Sequence, residues 1–200
     1  MGRTNDAKDR ILEQAGRLFH ERGFRGVGIG DICSAAAVNK GSFYHFFPSK
    51  QQLALDVIDA YWHDARSFVE ETLLADRPPL ERLADYCERL HTSHVARCTE
   101  HGKQRGCPLA NFGIEMSTQD IRLRERVLSA FESQIGYFEH LVREAKQRDE
   151  VAADVDPRAA AEAFIAFLQG KIMLSKLRDD PEALKNLLPE AKRLLGVLPA

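Results

Sequence analysis

Apolar residues recur every three or four positions along most of the chain, which is the period of an amphipathic α-helix. In the first such stretch, residues 5–22, Ile11, Leu18 and Phe19 fall on one face. Gly23 follows directly, as a residue that ends helices. Alternation of apolar and polar residues, the signature of a half-buried strand, is never sustained. The pattern therefore predicts an all-α protein.

Proline, glycine and capping residues divide the chain into about nine helices. Three short helices at the N-terminus are predicted to form one domain, residues 1–50, and a larger helical bundle to form a second, residues 51–200. The predicted helices are 5–22, 29–36, 40–46, 50–74, 80–97, 108–116 and 119–148, followed by two that start at Asp156-Pro157 and Asp180-Pro181.

Charge is distributed unevenly along the chain. The net charge is −2, yet residues 1–50 carry 8 Lys and Arg against 5 Asp and Glu. A mildly basic end on an acidic body is typical of a small module that faces nucleic acid. No apolar run approaches the ~20 residues that span a bilayer, and the first residues lack an apolar export signal. We therefore expect a cytoplasmic protein that does not enter a membrane.

Residues 23–50 carry the most specific pattern in the chain. They predict two short helices joined by a tight turn, followed by an aromatic cluster and Pro48. A unit of this shape presents its second helix to the major groove of DNA. Phe43, Phe46 and Phe47 are expected to anchor that helix to the protein. The residues expected to contact DNA are Lys40, Gly41, Ser42, Tyr44 and His45 in the groove and Lys50 on a phosphate.

The same segment closely resembles the TetR family of bacterial transcriptional regulators. The family pattern DIxxxAxVxKGxFYxxFxSK is matched here by Asp31, Ile32, Ala36, Val38, Lys40, Gly41, Phe43, Tyr44, Phe47, Ser49 and Lys50. The chain departs from the family at Gly28, where Thr or Ser is usual, at Ala37, where Gly is usual, and at Asn39, where Ser is usual. Gly28 and Asn39 are acceptable helix caps. A positive φ at Ala37 would cost about 1 kcal/mol.

The resemblance implies a homodimer that binds a palindromic DNA operator, with a C-terminal domain that senses a ligand. One short helix contacts only a few bases, so two copies on neighbouring half-sites agree with this implication. In the family the last two helices form the dimer interface. At that position the chain has a small-residue face made of Ala159, Ala160, Ala163, Ala166 and Gly170. The alternative is that these residues pack within the chain.

Cys107 is the candidate for sensing. Pro108 suits the first position of a helix, so Cys107 is predicted to cap that helix, and basic residues precede it. A thiol in this setting is expected to ionise more easily than a free one. The segment GCPL…E resembles the branch of the TetR family that responds to electrophiles or oxidants, in which a lysine of the eighth helix lies near the thiol. Lys176 or Lys171 would take that position, and the alternative is an inert, partly buried cysteine.

Four residues share one face of the fifth predicted helix: Cys87, His91, His94 and Cys98. Their spacing suits a metal-binding pair or, more commonly, the lining of a core or pocket. All four cannot bind one ion, because the first and last are about 16 Å apart along a helix. His94 and Cys98, completed by Cys107, are a conceivable metal site. No CxxC spacing and no export signal are present, so the cysteines are expected to be free thiols. We expect no metal and no cofactor. The residues expected to line an effector pocket are Trp62, Phe68, His91, His94, Phe112, Met116, Tyr137 and Phe167.

These features predict a one-component transcriptional regulator, most simply a repressor that a small molecule or modification of Cys107 releases from its operator. Two alternatives stay open. One is an enzyme that uses Cys107 with a histidine, although the chain has no nucleophile-elbow, phosphate-loop or dinucleotide-binding glycine pattern. The other is a constitutive DNA-binding protein without an effector, for which the long chain beyond Leu74 is larger than DNA binding requires. We expect a protein that is not an enzyme.

Overall fold

The computed structural model describes residues 3–199, with side chains from residue 6 onward, and this part of the chain is mostly helical. Within it, the one pairing of extended residues is an isolated antiparallel bridge between Val151 and Val197. The prediction of an all-α fold is confirmed. The helices are α1 (Arg3–Arg22), α2 (Ile29–Ala35), α3 (Lys40–Phe46), α4 (Lys50–Leu73), α5 (Pro79–His101), α6 (Pro108–Met116), α7 (Ile121–Gln147), α8 (Pro157–Arg178) and α9 (Leu187–Leu194), with a 3-10 turn at Pro181–Leu184.

Two predicted helix boundaries are wrong. Helix α5 continues to His101, beyond the predicted end at Arg97, and stops at Gly102, whose φ of 70° ends the helical path. The last helix does not begin at Pro181, where the chain makes the 3-10 turn instead. Asn186 then adopts a left-handed φ of 62°, so α9 starts only after it. In both places a left-handed residue decides the boundary.

The chain folds into two compact units. The first runs to His63 and also contains Pro108–Ser129, and the second contains Asp64–Cys107 and the chain from Ala130 onward. The predicted domain boundary at residue 50 therefore falls within the first unit, which includes the start of α4 and all of α6. Helix periodicity cannot show that α6 belongs to the first unit, because α6 joins that unit through contacts with residues far away in sequence. None of the helices within residues 3–199 is long and apolar enough to cross a membrane.

An aromatic cluster holds the first unit together. The rings of Phe19, Phe24 and Phe112 have centroids 5.4 to 6.3 Å apart, which attaches α6 to α1. Phe43 and Phe47 are fully buried and anchor α3. Phe46, predicted to turn inward with them, is only half-buried. Other buried apolar residues of this unit are Ile11, Ala15, Leu18, Val27, Ile32, Leu53 and Ile58.

The turn between α2 and α3 is tight and is closed by backbone hydrogen bonds. Val38 N donates to Cys33 O at 3.0 Å. Ala37 has a φ of 52°, in the left-handed region that favours glycine, as its position in the motif implies. Asn39 then caps α3, because its side chain accepts a hydrogen bond from Ser42 N at 2.8 Å. A strained alanine and a good cap therefore set the orientation of α3.

Ala37→Gly is expected to stabilise the protein by about 1 kcal/mol, because glycine adopts this backbone conformation without the steric cost that alanine meets. For a chain of this length the thermal unfolding midpoint should rise by roughly 2–4 °C. Ala35→Gly is the matched control, since Ala35 is exposed and does not have a positive φ, so the loss of its methyl group should not stabilise the protein. An unchanged or lower midpoint in Ala37→Gly would contradict the predicted strain.

The second unit has its own aromatic core. The rings of Phe68, Tyr86, Phe138 and Phe164 form a chain with successive centroids 5.4, 5.0 and 4.8 Å apart. These rings come from α4, α5, α7 and α8, so one cluster ties four helices together. Apolar residues of α9, including Leu187, complete this core.

Candidate nucleic-acid interface and cysteine site

Helix α3 has a buried face and an exposed face. The residues predicted to contact DNA lie outside the core: Lys40, Gly41, Tyr44 and His45 are exposed, and Ser42 is half-buried. Tyr44 is 54% exposed, and its ring packs edge-on against Phe43 with centroids 5.3 Å apart. Tyr44 is thus held by a contact with the core and still has more than half of its surface exposed. The face is therefore pre-formed and free to meet a groove.

Besides the predicted close approach of DNA, a contact within the protein also favours glycine at position 41. A Cβ at this position would lie 3.2 Å from Asn39 Oδ1, the atom that caps α3. A larger residue would therefore press on the cap as well as on an approaching DNA backbone. Space beside the cap therefore favours glycine at the start of α3, where its φ is not in the left-handed region.

Lys50 has a structural role in this unit, and its contact with a DNA phosphate stays a prediction. Its Nζ donates to Phe24 O at 2.8 Å and to Val27 O at 2.7 Å, and it lies 4.1 Å from the centroid of the Phe24 ring. Burial lowers the pKa of Lys50, and the nearby carboxylate of Glu115 partly offsets that shift. Two of the three ammonium protons are thus committed to carbonyls of the loop between α1 and α2. We assign Lys50 to holding this loop.

The connection from α5 to α6 is short and ends at Cys107. Gly102 and Gly106 bend it with φ values of 70° and 77°. A Cβ added to Gly106 would lie 3.0 Å from Lys176 Cδ, so the side chain of Lys176 packs directly over the residue before Cys107. The structure therefore brings Lys176 and the Cys107 loop together.

A buried polar cluster fixes this loop to the C-terminal end of α8. Gln104 N donates to Asp179 Oδ1 at 2.7 Å, and Gln104 Nε2 donates to Ser175 Oγ at 3.1 Å. His94 Nδ1 lies 3.2 Å from Gln104 Nε2, and Ser175 Oγ donates to Asp180 O at 2.7 Å. Buried polar groups that satisfy one another in this way rigidify their surroundings. His94, predicted to line a pocket, belongs to this cluster.

The four thiols differ in accessibility. Cys33 and Cys87 are buried, and burial raises the pKa of both, that of Cys87 to about 12. Both are therefore protonated and weakly nucleophilic at neutral pH. Cys98 and Cys107 are half-buried. Cys107 packs against the core of the second unit and interacts electrostatically with Arg97.

The residues predicted to line a pocket are divided between the two units. Trp62, Phe112 and Met116 belong to the first, and Phe68, His91, His94, Tyr137 and Phe167 belong to the second. In the second unit Phe68, Tyr137 and Phe167 pack against the same core as Cys107. His91 Nε2 lies 3.4 Å from Glu182 Oε1. Among the residues that the structure describes, no three His, Cys, Asp or Glu side chains are arranged to hold a metal ion.

Glu115 is the final residue of the GCPL…E segment, but its contact was not predicted, and Gln104 and Asp179 did not stand out in the sequence. Each of the three holds a loop beside a candidate site. The Glu115 side chain binds loop amides 90 and 91 residues away, and Gln104 N binds the side chain of Asp179, 75 residues away. The GCPL…E segment includes Glu115, but a motif does not show which distant residues its members bind. A further signal was a glycine close to each contact, Gly23 before Phe24 and Gly106 two residues after Gln104, both with positive φ.

An exposed helix on a buried aromatic base, preceded by a capped tight turn, is typical of a helix-turn-helix DNA-binding protein. Two family models match the chain. "Bacterial regulatory proteins, tetR family" matches residues 11–57, and "Tetracyclin repressor-like, C-terminal domain" matches residues 79–189. The chain belongs to the TetR family of transcriptional regulators. The predicted family, fold and function as a DNA-binding regulator are confirmed.

Individual relatives agree with this assignment. The HTH-type transcriptional repressor DhaR of Mycobacterium sp. (strain GP1) is 31% identical over 189 residues, covering 94% of this chain and 91% of that protein. The transcriptional regulator AcuR of Cereibacter sphaeroides is 37% identical over 167 residues, covering 83% and 74%. The crystal structure of a regulatory protein TetR from Rhodobacter sphaeroides matches with a TM-score of 0.82 at 31% identity, over 95% of this chain and 97% of that one.

Proposed function

We propose that this protein is a dimeric repressor that binds a palindromic operator in the bacterial cytoplasm. A small molecule bound to the second unit, or modification of Cys107 by an electrophile, releases it. The exposed face of α3 supports the part of this proposal that concerns DNA binding. The half-buried Cys107, with Arg97 and Lys176 around its loop, supports the release half. The relatives are named as regulators, which supports a protein without enzymatic activity.

An uncovered apolar face on α8 supports the dimer. The large exposed side chains there are Met173 (47%), Leu174 (39%) and Leu177 (73%). Ala163 and Ala166 extend the same face and are exposed, and a Cβ added to Gly170 would meet no atom within 4 Å. Ala160, which we predicted on this face, is buried in the core of the second unit instead. A second copy of the face would cover these side chains in a two-fold symmetric contact.

Modification of Cys107 would proceed by conjugate addition, with a maleimide as the simplest example. The thiolate sulfur attacks one alkene carbon, and a carbon–sulfur bond forms as the carbon–carbon π bond breaks. The electron pair moves to the neighbouring carbon, which takes a proton from water. A nearby cation such as Arg97 favours thiolate nucleophiles.

The proposed release is a two-state change. In one state the two α3 helices of the dimer match successive major grooves, and in the other their spacing no longer fits. The chain passes directly from Cys107 to Pro108, the first residue of α6, and α6 belongs to the DNA-binding unit. Couplings of this kind are typically about 1–3 kcal/mol, so operator affinity should fall by roughly 5- to 150-fold.

Tyr44→Ala tests the DNA-binding half. Because Tyr44 lies on the groove-facing side, we expect affinity for the operator to fall by about 1–3 kcal/mol, roughly 5- to 150-fold. The unfolding midpoint should hardly change, because the side chain is 54% exposed. Fluorescence anisotropy at fixed salt, with DNA from upstream of the protein's own gene, measures the affinity.

Two further variants help to interpret the affinity of Tyr44→Ala. Tyr44→Phe separates the contribution of the hydroxyl from that of the ring. Leu128→Ala is the matched control, since Leu128 is also 54% exposed and lies in the first unit. Wild-type affinity in Tyr44→Ala, or an equal loss in Leu128→Ala, would contradict the assignment of this face to DNA.

A further inference from the structure

Glu115, the eighth residue of α6, holds the loop between α1 and α2 by a two-point contact. Its Oε2 accepts a hydrogen bond from Phe24 N and its Oε1 accepts one from Arg25 N, both at 2.8 Å. Hydrogen bonds from backbone amides to a carboxylate are charge-assisted and are stronger than neutral ones. All these residues lie in the first unit. The end of α6 is therefore attached directly to the loop.

Lys50 holds the same loop through backbone carbonyls, whereas Glu115 holds it through backbone amides. Its ammonium binds the carbonyls of Phe24 and Val27, as described above. The amide and the carbonyl of Phe24 are thus bound by opposite charges, a carboxylate from α6 and an ammonium from α4. These two charged side chains also interact with each other, since Glu115 favours the charged form of Lys50. Side chains from two other helices therefore define the path of the loop.

The loop is shaped to admit the carboxylate. Gly23 has a φ of 75°, and a Cβ there would lie 2.8 Å from Glu115 Oε2. Glycine is required on both counts, because it tolerates the left-handed backbone and leaves room for the oxygen. Phe24 also packs on Phe112 of α6, with ring centroids 6.3 Å apart. Helix α6 thus contacts the loop through an apolar and a polar side chain.

The loop leads straight into the DNA-binding motif. Gly28 N donates to Asp31 Oδ2 at 2.7 Å, and α2 begins at the next residue, Ile29. Helix α2 is joined to α3 by the tight four-residue turn at residues 36–39. A displacement of the loop is therefore passed on to the start of α2 and from there to α3.

We propose that Glu115 is a positioning residue for operator binding, which connects α6 to the helix-turn-helix motif without touching DNA. This inference rests on the operator binding proposed above and is independent of the chemistry of Cys107. It gives α6 a defined task in the first unit. The position of α6 sets the position of the loop, and the loop sets the orientation of the recognition helix.

Whether operator affinity falls or rises when the Glu115 carboxylate is removed distinguishes a positioning role from an effect of net charge. Removal of the carboxylate makes the protein one unit more positive, and by long-range electrostatics alone this should strengthen DNA binding. Loss of positioning should weaken it, because two recognition helices must be held at the spacing of the half-sites. Weaker binding by a variant that has gained positive charge therefore has no electrostatic explanation.

The experiment compares full-length wild type, Glu115→Ala, Glu115→Gln and Glu125→Ala in operator affinity and in amide hydrogen exchange. Glu125, an exposed residue of α7 in the same unit, is the matched control for loss of one negative charge. We expect Glu115→Ala to bind about tenfold more weakly or worse. Glu115→Gln should have an intermediate operator affinity, because glutamine has one side-chain oxygen that can accept a hydrogen bond where glutamate has two. Glu125→Ala should bind as tightly as the wild type or slightly tighter.

Two readouts distinguish positioning from general damage. The amides of Phe24 and Arg25 should exchange faster in Glu115→Ala and not in Glu125→Ala, while amides of the second unit keep their protection. The slope of log affinity against log salt should stay the same, because no phosphate contact is lost. Should Glu115→Ala fold poorly, the same readouts on Glu115→Gln decide the question.

Two results would overturn the proposal. One is operator binding by Glu115→Ala at wild-type strength or tighter while both amides exchange faster, since the freed loop would then not affect DNA binding. The other is unchanged exchange at both amides, which would show that the carboxylate does not hold the loop. Failure of the wild type itself to bind upstream DNA would instead contradict the proposed function, and the exchange data would still report on the loop contact.

Discussion

Cys107→Ser is expected to bind the operator as tightly as the wild type and to stay bound after treatment with N-ethylmaleimide. Serine keeps the size of the side chain, but its hydroxyl does not add to a maleimide at neutral pH. In the wild type the same treatment should lower operator affinity by roughly 5- to 150-fold. Cys107 packs against the core of the second unit, so an adduct must displace neighbouring side chains from a close-packed interior.

Cys98→Ser is the matched control, because Cys98 is the other half-buried thiol. It should be released like the wild type. Burial and a raised pKa make Cys33 and Cys87 slow to react, and mass spectrometry of the treated protein would show which thiols carry the adduct. Normal release of Cys107→Ser, or loss of release in Cys98→Ser, would refute the assignment of the sensor to Cys107.

Leu177→Glu is expected to separate the proposed dimer and to lower operator affinity by about 100-fold or more. Leu177 is 73% exposed in the single chain and lies on the apolar face of α8. In a two-fold interface the substitution occurs twice, so two unpaired carboxylates are buried at a cost of several kcal/mol each. The resulting monomer presents one recognition helix and loses the contacts of the second half-site. Sedimentation velocity measures the mass, and anisotropy measures the affinity.

Leu74→Glu provides the comparison for this substitution. Leu74 is 49% exposed, lies in the second unit just beyond the end of α4, and is not part of the α8 face. The same change of residue there should leave the protein dimeric and bound to its operator. A dimeric Leu177→Glu protein, or a monomeric Leu74→Glu protein, would place the interface elsewhere.

Helix α3 shows how much could be predicted from the sequence. Its observed bounds, Lys40–Phe46, are those predicted, and Asn39 caps it as expected. The positive φ at Ala37 also follows from its place in the motif. Each of these features depends on residues within a few positions of one another. Local spacing and residue type carry such information directly.

The contacts that Lys50 makes within the protein could not be predicted from local sequence patterns. A lysine at the start of a helix beside a DNA-binding motif favours a phosphate contact, but its ammonium binds carbonyls 23 and 26 residues away. Glu115 likewise binds amides about 90 residues away. Neither partner is visible in a helical period, since a lysine or a glutamate on a helix normally faces solvent.

Aromatic residues show a related difficulty. Phe112 and Phe68 both follow a helical period that suits a core or a pocket equally well. In the structure Phe112 packs with Phe19 in the first unit, whereas Phe68 packs with Tyr86 in the second. Periodicity shows which face of a helix is apolar, but the partner of that face depends on the tertiary fold.

The most direct test is the affinity of the wild-type protein for DNA upstream of its own gene, measured at one salt concentration before and after full modification by N-ethylmaleimide. We expect specific binding by a dimer across two half-sites, and affinity lower by roughly 5- to 150-fold after modification. Unchanged affinity with Cys107 fully modified would contradict release through the thiol. Binding no tighter than to unrelated DNA would contradict operator recognition itself.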